Sequence, residues 1–230
     1  MTAQLDVRGD VAVLVPAAGA GVRLGAGTPK ALHALDGIPL LVHAVQRAAG
    51  AAGVAAIVVA APPDAVDFVT ELLAGVAPVT VVAGGASRQE SVSRALDAAP
   101  SHLPIVLVHD AARCLAPPAL FEAVAAAVRA GAYAVIPAQP VIDTIKRVDA
   151  ASVVVGTVDR AALRAVQTPQ GFRRDTLLAA HAAAVDEHTD DAGMVERLGL
   201  PVVTVPGDDL ALKITRPVDL LVAQALLGAT

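Results

Sequence analysis

VAVLVPAAGAGVRLGAGTPK, residues Val11 to Lys30, sets a β-branched apolar run against a long loop of small residues. The run reads as a strand over Val11 to Val15. Continuous apolar residues without alternation suit a parallel strand buried on both faces. A loop leaving such a strand turns free backbone N–H groups toward a ligand, and its glycines allow an anion to come close. No acid occurs between Val11 and Leu35, whereas Arg23 and Lys30 do, in a chain of net charge -5. That local excess of positive charge points to an anionic ligand. The P-loop reading fails, because Pro29 stands before Lys30 and Ala31 after it, where Gly and Ser or Thr are needed. The dinucleotide fingerprint fails too, because Gly19-x-Gly21-x-x-x-Gly25 has the wrong spacing and Pro29 interrupts the helix it requires. Glycine alone would fit a plain turn; Arg23 and Lys30 favour a polyphosphate. Pro29 presents Lys30 from a stiff loop instead of a helix.

Outward from this loop, strand-like runs alternate with helix-like segments. A helix is expected from Pro39 to Ala49, a strand over 55–61, a helix over 63–73 and a strand over 79–82. A helix over 88–98, a strand over 105–109, a helix after Pro117-Pro118 and a strand over 132–138 follow. The alternation predicts an α/β fold with a doubly wound, mostly parallel, Rossmann-like sheet and ligands at the carboxyl ends of its strands. The rhythm breaks after Pro137. Residues 139–166 offer two short β-prone pieces about the turn-like DAAS (149–152) and read as a projecting hairpin arm. Helices over 173–185 and 190–198, a strand over 202–205 and a helix from Pro217 complete one domain spanning residues 1–230.

Composition narrows the function. The chain has 230 residues and 55% hydrophobic content, enough for one sizeable core. Yet no apolar run approaches the roughly 18 residues of a membrane span. MTAQLDVRGD does not read as a signal peptide. A single cysteine, Cys114, leaves no internal disulfide or thiolate cluster and reads as a packing residue. The expectation is therefore a cytoplasmic protein without membrane attachment. Aromatic content of 2%, no Trp and an acidic balance argue against nucleic acid as partner.

The loop PAAGxGxR with its following PK dipeptide resembles the signature of sugar-nucleotide and alditol-phosphate nucleotidyltransferases. Further motifs narrow the resemblance: GGxxRxxSV (84–92), VHDAAR (108–113), DTIK (143–146), QTPQGF (167–172), TDDA (189–192) and LKIT (212–215). In this order, over the whole chain, the series closely resembles the 2-C-methyl-D-erythritol 4-phosphate cytidylyltransferases of the non-mevalonate isoprenoid pathway. The resemblance implies that CTP and methylerythritol phosphate react to give 4-diphosphocytidyl-2-C-methyl-D-erythritol and pyrophosphate, with Mg²⁺ bridging the triphosphate. It implies that Arg23 and Lys30 stabilise the α-phosphate and the departing pyrophosphate. Ala17, Ala18, Gly19, Gly21, Gly85, Ala86 and Ser91 would hold CTP. Asp110 would face both the Mg²⁺–CTP and the substrate hydroxyls, and Arg113, Thr168, Thr189 and Lys213 would contact the substrate.

Each assignment has a plainer counterpart. Ser87 to Glu90 fits a capping box, Thr189 fits an N-cap, and Asp110 with Arg113 fits a local pair on a loop. Lys213 lies in the apolar, strand-like ALKIT, where a chance lysine is disfavoured. His109 reads as structural, and Lys146 as surface charge. A lone two-stranded hairpin is marginal in water, so the arm should pack on a partner. By resemblance that partner is a second copy, with Thr144 and Arg160 of each arm completing the neighbour's pocket. Two alternatives stand beside this reading: a ribitol 5-phosphate cytidylyltransferase, and a non-catalytic nucleotide-binding module. The length leaves no room for a fused cyclodiphosphate synthase.

Overall fold

The computed structural model describes residues 3–6, 8–19, 29–186 and 188–228. Strand β1 (Val11–Pro16) is followed by the phosphate-type loop and then by a two-residue hairpin, β2 (Ala34–Leu35) and β3 (Ile38–Pro39). This hairpin escapes the periodicity reading, although Asp36-Gly37 is a strong turn signal; both residues have positive φ, 51° and 74°. Next come α1 (Leu40–Ala49), β4 (Val54–Ala61), α2 (Val66–Leu73), β5 (Thr80–Ala83), α3 (Arg88–Ala98) and β6 (Ile105–Val108). They are followed by α4 (Pro118–Arg129), β7 (Ala134–Pro140), β8 (Ile145–Val148), β9 (Val154–Val158), β10 (Arg164–Val166) and β11 (Gln170–Arg173). Finally α5 (Arg174–Ala183), α6 (Asp191–Arg197), β12 (Val202–Pro206) and α7 (Pro217–Leu227) close the chain.

Strands β5, β4, β1 and β6 lie side by side and parallel, the order reversing at β1. Beyond β6 lies β11, antiparallel to both β6 and β7, and β12 pairs parallel with β7. The expected α/β class with mostly parallel core strands is thus present, but the antiparallel β11 in mid-sheet departs from the expectation. QTPQGF carries a glycine, a proline and two glutamines, so no apolar run marks the strand. Gly171 makes the insertion possible: a Cβ there would lie 2.5 Å from Val124 Cγ1 and 3.0 Å from Leu107 Cδ2. Strand β10 continues in line with β11 along β7, with a register shift across residues 167–169.

Alternate residues of β1 feed opposite faces of the sheet. Val11, Val13 and Val15 pack with α1, α2 and α4, around Leu41, Val45, Leu73 and Phe121. Ala12 and Leu14 pack with α3, α5 and α6, around Val92, Leu96, Leu177 and Val195. Both faces of β1 being covered explains why the strand reads as an unbroken apolar run. Cys114 is buried with Leu35, Leu40, Leu115 and Ile214 in a smaller cluster, where burial pushes its thiol up to about 12.

The arm is present but shorter than its expected bounds. β8 and β9 form a separate antiparallel pair, while β7 and β10 belong to the main sheet. DAAS is its turn, as expected: the Asp149 carboxylate accepts from the backbone N–H groups of Ala151 and Val153, both at 2.9 Å. The arm's apolar side chains find little cover, with Ile142 81% and Val153 58% exposed. Among the described residues no helix is long and apolar enough to cross a membrane.

Candidate active site

At the carboxyl ends of β1, β5 and β6 lies a cavity of about 450 Å³. Its floor is backbone and small side chains from the two glycine-rich turns: Pro16, Ala17, Ala18 and Gly19 after β1, and Gly85, Ala86 and Ser87 after β5. The two turns touch. A Cβ on Gly84 would sit 2.5 Å from the Cβ of Ala18, so only glycine lets them close together. Side chains of α3 fix the second turn. Ser91 Oγ accepts from Gly85 N–H at 3.0 Å and donates to the Ser87 carbonyl at 2.8 Å. Ser87 caps α3 by accepting from Glu90 N–H, as its spacing predicts. The Glu90 carboxylate, however, accepts from Ala86 N–H at 2.8 Å, one residue short of a regular capping box.

Lys30 enters the cavity at the far end of the first loop, whose ends are joined by Lys30 N–H donating to the Gly19 carbonyl. Pro29 is extended, at φ -52° and ψ 137°, and Lys30 begins a short 3-10 turn, Lys30–Leu32, in place of the plain loop expected. Arg23 and Gly21 lie outside the described residues.

Among the described residues, three cationic side chains, Lys30, Arg88 and Lys213, and the carboxylate of Asp110 line this cavity. Asp110 follows β6 and is pinned from three directions. Its backbone N–H donates to Thr168 Oγ1 at 3.0 Å, Arg88 Nε donates to Oδ1 at 3.2 Å, and Lys213 Nζ lies 2.7 Å from Oδ2. Burial alone would raise its pKa, but Arg88 and Lys213 outweigh it and hold the carboxyl well below the usual range. It is an ionised group, not a proton donor. Lys213 lies on an irregular segment, not the strand expected of ALKIT; Ile214 N–H ties that segment to the Ala112 carbonyl at 2.8 Å.

Arg88 escapes the sequence reading as a site residue, though it lies within the GGxxRxxSV motif. A physical signal is there: it occupies the first position of α3, where a cation opposes the helix dipole. Its guanidinium also reaches Asp191, with Nη1 2.7 Å from Oδ2. Asp191 is fully buried and its Oδ1 lies 3.1 Å from His181 Nε2. Burial works against the charge on Arg88, yet Asp191 and Asp110 raise its pKa above the ordinary arginine value.

The other expected contacts fall elsewhere in this chain. Arg113 donates to the carbonyls of Ala211 at 2.6 Å and Val166 at 2.9 Å, which ties the turn after β6 to two later segments and places it outside the cavity lining. Thr168 is 5% exposed, its hydroxyl engaged with Asp110 N–H and, at 3.1 Å, with His109 Nδ1. Thr189 is exposed and does not cap α6; Asp190 does, accepting from Gly193 N–H. Thr144 and Arg160 lie exposed on the arm, where Arg160 Nη1 donates to the Ile142 carbonyl. They do not line this chain's cavity.

The donor set suits Mg²⁺ better than a caged metal. One ionised carboxylate faces the cavity, and among the described residues no group of three or more His, Cys, Asp or Glu could enclose an ion. Mg²⁺ binds through one or two carboxylates plus substrate phosphates.

The family model described as IspD, 2-C-methyl-D-erythritol 4-phosphate cytidylyltransferase, matches residues 11–229. A protein of that name from Frankia casuarinae is 58% identical over 218 residues, covering 95% of this chain and 81% of that protein. Its counterpart from Nocardia farcinica is 55% identical, covering 96% of both. Among solved structures, the 2-C-methyl-D-erythritol 4-phosphate cytidylyltransferase of Thermus thermophilus superposes with a TM-score of 0.76 at 38% identity, covering 94% of this chain and 97% of that one. The 4-diphosphocytidyl-2C-methyl-D-erythritol synthase of Anaerococcus prevotii gives 0.83 at 26% identity, covering 95% and 96%.

Proposed function

Given that the chain belongs to the 2-C-methyl-D-erythritol 4-phosphate cytidylyltransferase family, we propose that the cavity over β1, β5 and β6 carries out that family's reaction. The protein joins CTP to 2-C-methyl-D-erythritol 4-phosphate and releases pyrophosphate, a step of isoprenoid precursor synthesis. The observation that carries the placement is the convergence of Lys30, Arg88 and Lys213 on one cavity with Asp110 in an otherwise acidic protein.

The nucleotide lies along the backbone of Ala17 to Gly19 and Gly85 to Ala86, its triphosphate toward Lys30. Small side chains there leave main-chain groups to read the base, and Ser91 acts by holding Gly85 in place. An oxygen of the substrate's phosphate monoester forms a bond to the α-phosphorus of CTP. The bond from that phosphorus to the bridging oxygen breaks, and its electron pair departs with pyrophosphate. The attacking oxygen is already ionised, so no residue needs to act as a base. The obstacle is charge: one anion must approach another. Lys30 and Arg23 neutralise the α-phosphate and the leaving pyrophosphate, and Lys213 holds the substrate phosphate. Mg²⁺, held by Asp110 and the triphosphate, would supply further neutralisation of the phosphate charge.

The cytoplasm is the setting proposed for this reaction. The proposed assembly is a homodimer through the arm. Its support is the apolar surface at Ile142, Val148 and Val153 to Val155, each more than half exposed. Arg160 and Thr144 then act on the neighbour's substrate, because they lie away from their own chain's cavity.

The test is pyrophosphate release with CTP and either methylerythritol phosphate or ribitol 5-phosphate, with Mg²⁺ or with excess EDTA. Turnover is expected with methylerythritol phosphate and Mg²⁺ alone. Comparable turnover with ribitol phosphate, or activity surviving EDTA, would overturn the substrate or the metal assignment respectively.

A further inference from the structure

Arg88 is the hinge of a chain of polar side chains that leaves the cavity through the buried Asp191 and ends at His181. Lys213 Nζ is 2.7 Å from Asp110, Asp110 is 3.2 Å from Arg88 Nε, Arg88 Nη1 is 2.7 Å from Asp191, and Asp191 is 3.1 Å from His181 Nε2. The two partners of Asp110 differ in freedom. The Lys213 side chain is 43% exposed and has the cavity before it, whereas Arg88 is 28% exposed and is held at its far side by a carboxylate of zero exposure. Asp191 does not line the cavity, so no ligand there touches it. The position of Arg88 is costly on its own terms: a cation at the start of α3 opposes the helix dipole, and burial opposes its charge. Asp191 offsets both and fixes which nitrogen is left for Asp110.

We propose that Asp191 is a positioning residue for the reaction, acting through Arg88 to hold Asp110 in the rotamer that offers its second oxygen to the cavity. Arg88 is suited to this because a planar guanidinium can bridge two carboxylates through separate nitrogens, which a lysine ammonium does only loosely. Asp110 is thereby gripped on one side by a fixed cation. On the other it is paired with Lys213, which can exchange it for a substrate phosphate. Without the charge of Asp191, Arg88 has one carboxylate left and turns both nitrogens onto Asp110, drawing it back from the cavity. The proposal rests on the reading of Asp110 as a ligand-facing group.

The test is a double-mutant cycle in Mg²⁺–CTP and methylerythritol phosphate turnover, with Asp191→Asn, Asp110→Asn and both together, each followed by thermal melting. Asp191→Asn keeps the shape of the side chain and is expected to lower kcat by ~10–100-fold. In the Asp110→Asn background the same change should lower kcat less than about threefold, because the group it positions is already gone. Arg88→Lys, which keeps the positive charge without the fork, should behave as Asp191→Asn does in both backgrounds. It decides the case if Asp191→Asn does not fold. Full additivity of the kcat losses would show a general structural role and sink the inference while leaving Asp110 in the site. Wild-type activity of Asp110→Asn alone would overturn the reading of Asp110 itself, and the inference with it.

Discussion

Lys30 and His109 separate the two kinds of residue this site contains. Lys30 lines the cavity directly, so Lys30→Ala should lower kcat by roughly 10²–10³, the usual cost of one lost transition-state charge contact. Melting temperature should change little; a kcat near normal with only a raised KM for CTP would remove Lys30 from its assigned role. His109 does not line the cavity. It is fully buried against the Phe121 ring at 4.7 Å, and burial pushes its pKa from 6.5 down to about 4. The folded protein therefore keeps this ring neutral where the unfolded chain protonates it. Between pH 6.5 and about 4 the unfolded state binds the extra proton, so stability falls as pH falls across that window, by about 3 kcal/mol if the whole difference is expressed. The Asp110 carboxyl, held below its ordinary value of 3.8, adds loss of stability only at still lower pH. Chemical denaturation at a series of pH values should show a slope above pH 4 that is reduced in His109→Gln. An unchanged slope would assign it to other groups.

At the scale of elements, glycine decides two close approaches. Gly84→Ala places a methyl 2.5 Å from the Cβ of Ala18, so the turns after β1 and β5 must part. The expected outcome is a KM for CTP raised about tenfold or more with the fold intact, because those two turns form the floor of the cavity proposed to hold the nucleotide. Gly171→Ala places its methyl against Val124 and Leu107 inside the sheet layer. Overpacking of that kind costs typically ~1–3 kcal/mol, so a lower denaturant midpoint is expected. The elements also show where the sequence is readable. β1, β4, β6 and α3 match their expected bounds within about a residue, because each has a long apolar run or a strong cap. β11 does not show, because its stability comes from pairing on both edges with β6 and β7. Its own residues carry little of the signal. β8 and β9 show through β-branched residues and the DAAS turn, while the segment from 160 to 166 that rejoins the sheet does not.

At the scale of the whole molecule, the arm raises the question of how many chains make one site. A two-stranded hairpin with its valines exposed is marginal in water on its own. If the arm reaches a second copy, each site takes Lys30 from one chain and Arg160 from the other. A mixed dimer of Lys30→Ala and Arg160→Ala chains then holds one intact site and one doubly broken site. With random pairing half the dimers are mixed, so coexpression should restore about a quarter of wild-type activity while each mutant alone is nearly inactive. A mixture no more active than the separate mutants would refute the shared site.

The alternation of strands and helices, the loop that begins at Pro16 and the family could all be read along the chain, because those features are local runs and spaced motifs. The same reading brought Lys30 and Lys213 to notice as charges in acid-free or apolar settings, and Asp110 by its place at the carboxyl end of a strand. Only the fold shows that Arg88 and the buried Asp191 stand behind Asp110, since the carboxylates that Arg88 bridges lie 22 and 103 residues from it in the chain. It likewise shows Arg113 tied to two later segments, because the carbonyls it satisfies belong to residues 98 and 53 positions distant. A charge is legible in one dimension; which charge neutralises it is settled only when the chain folds back on itself.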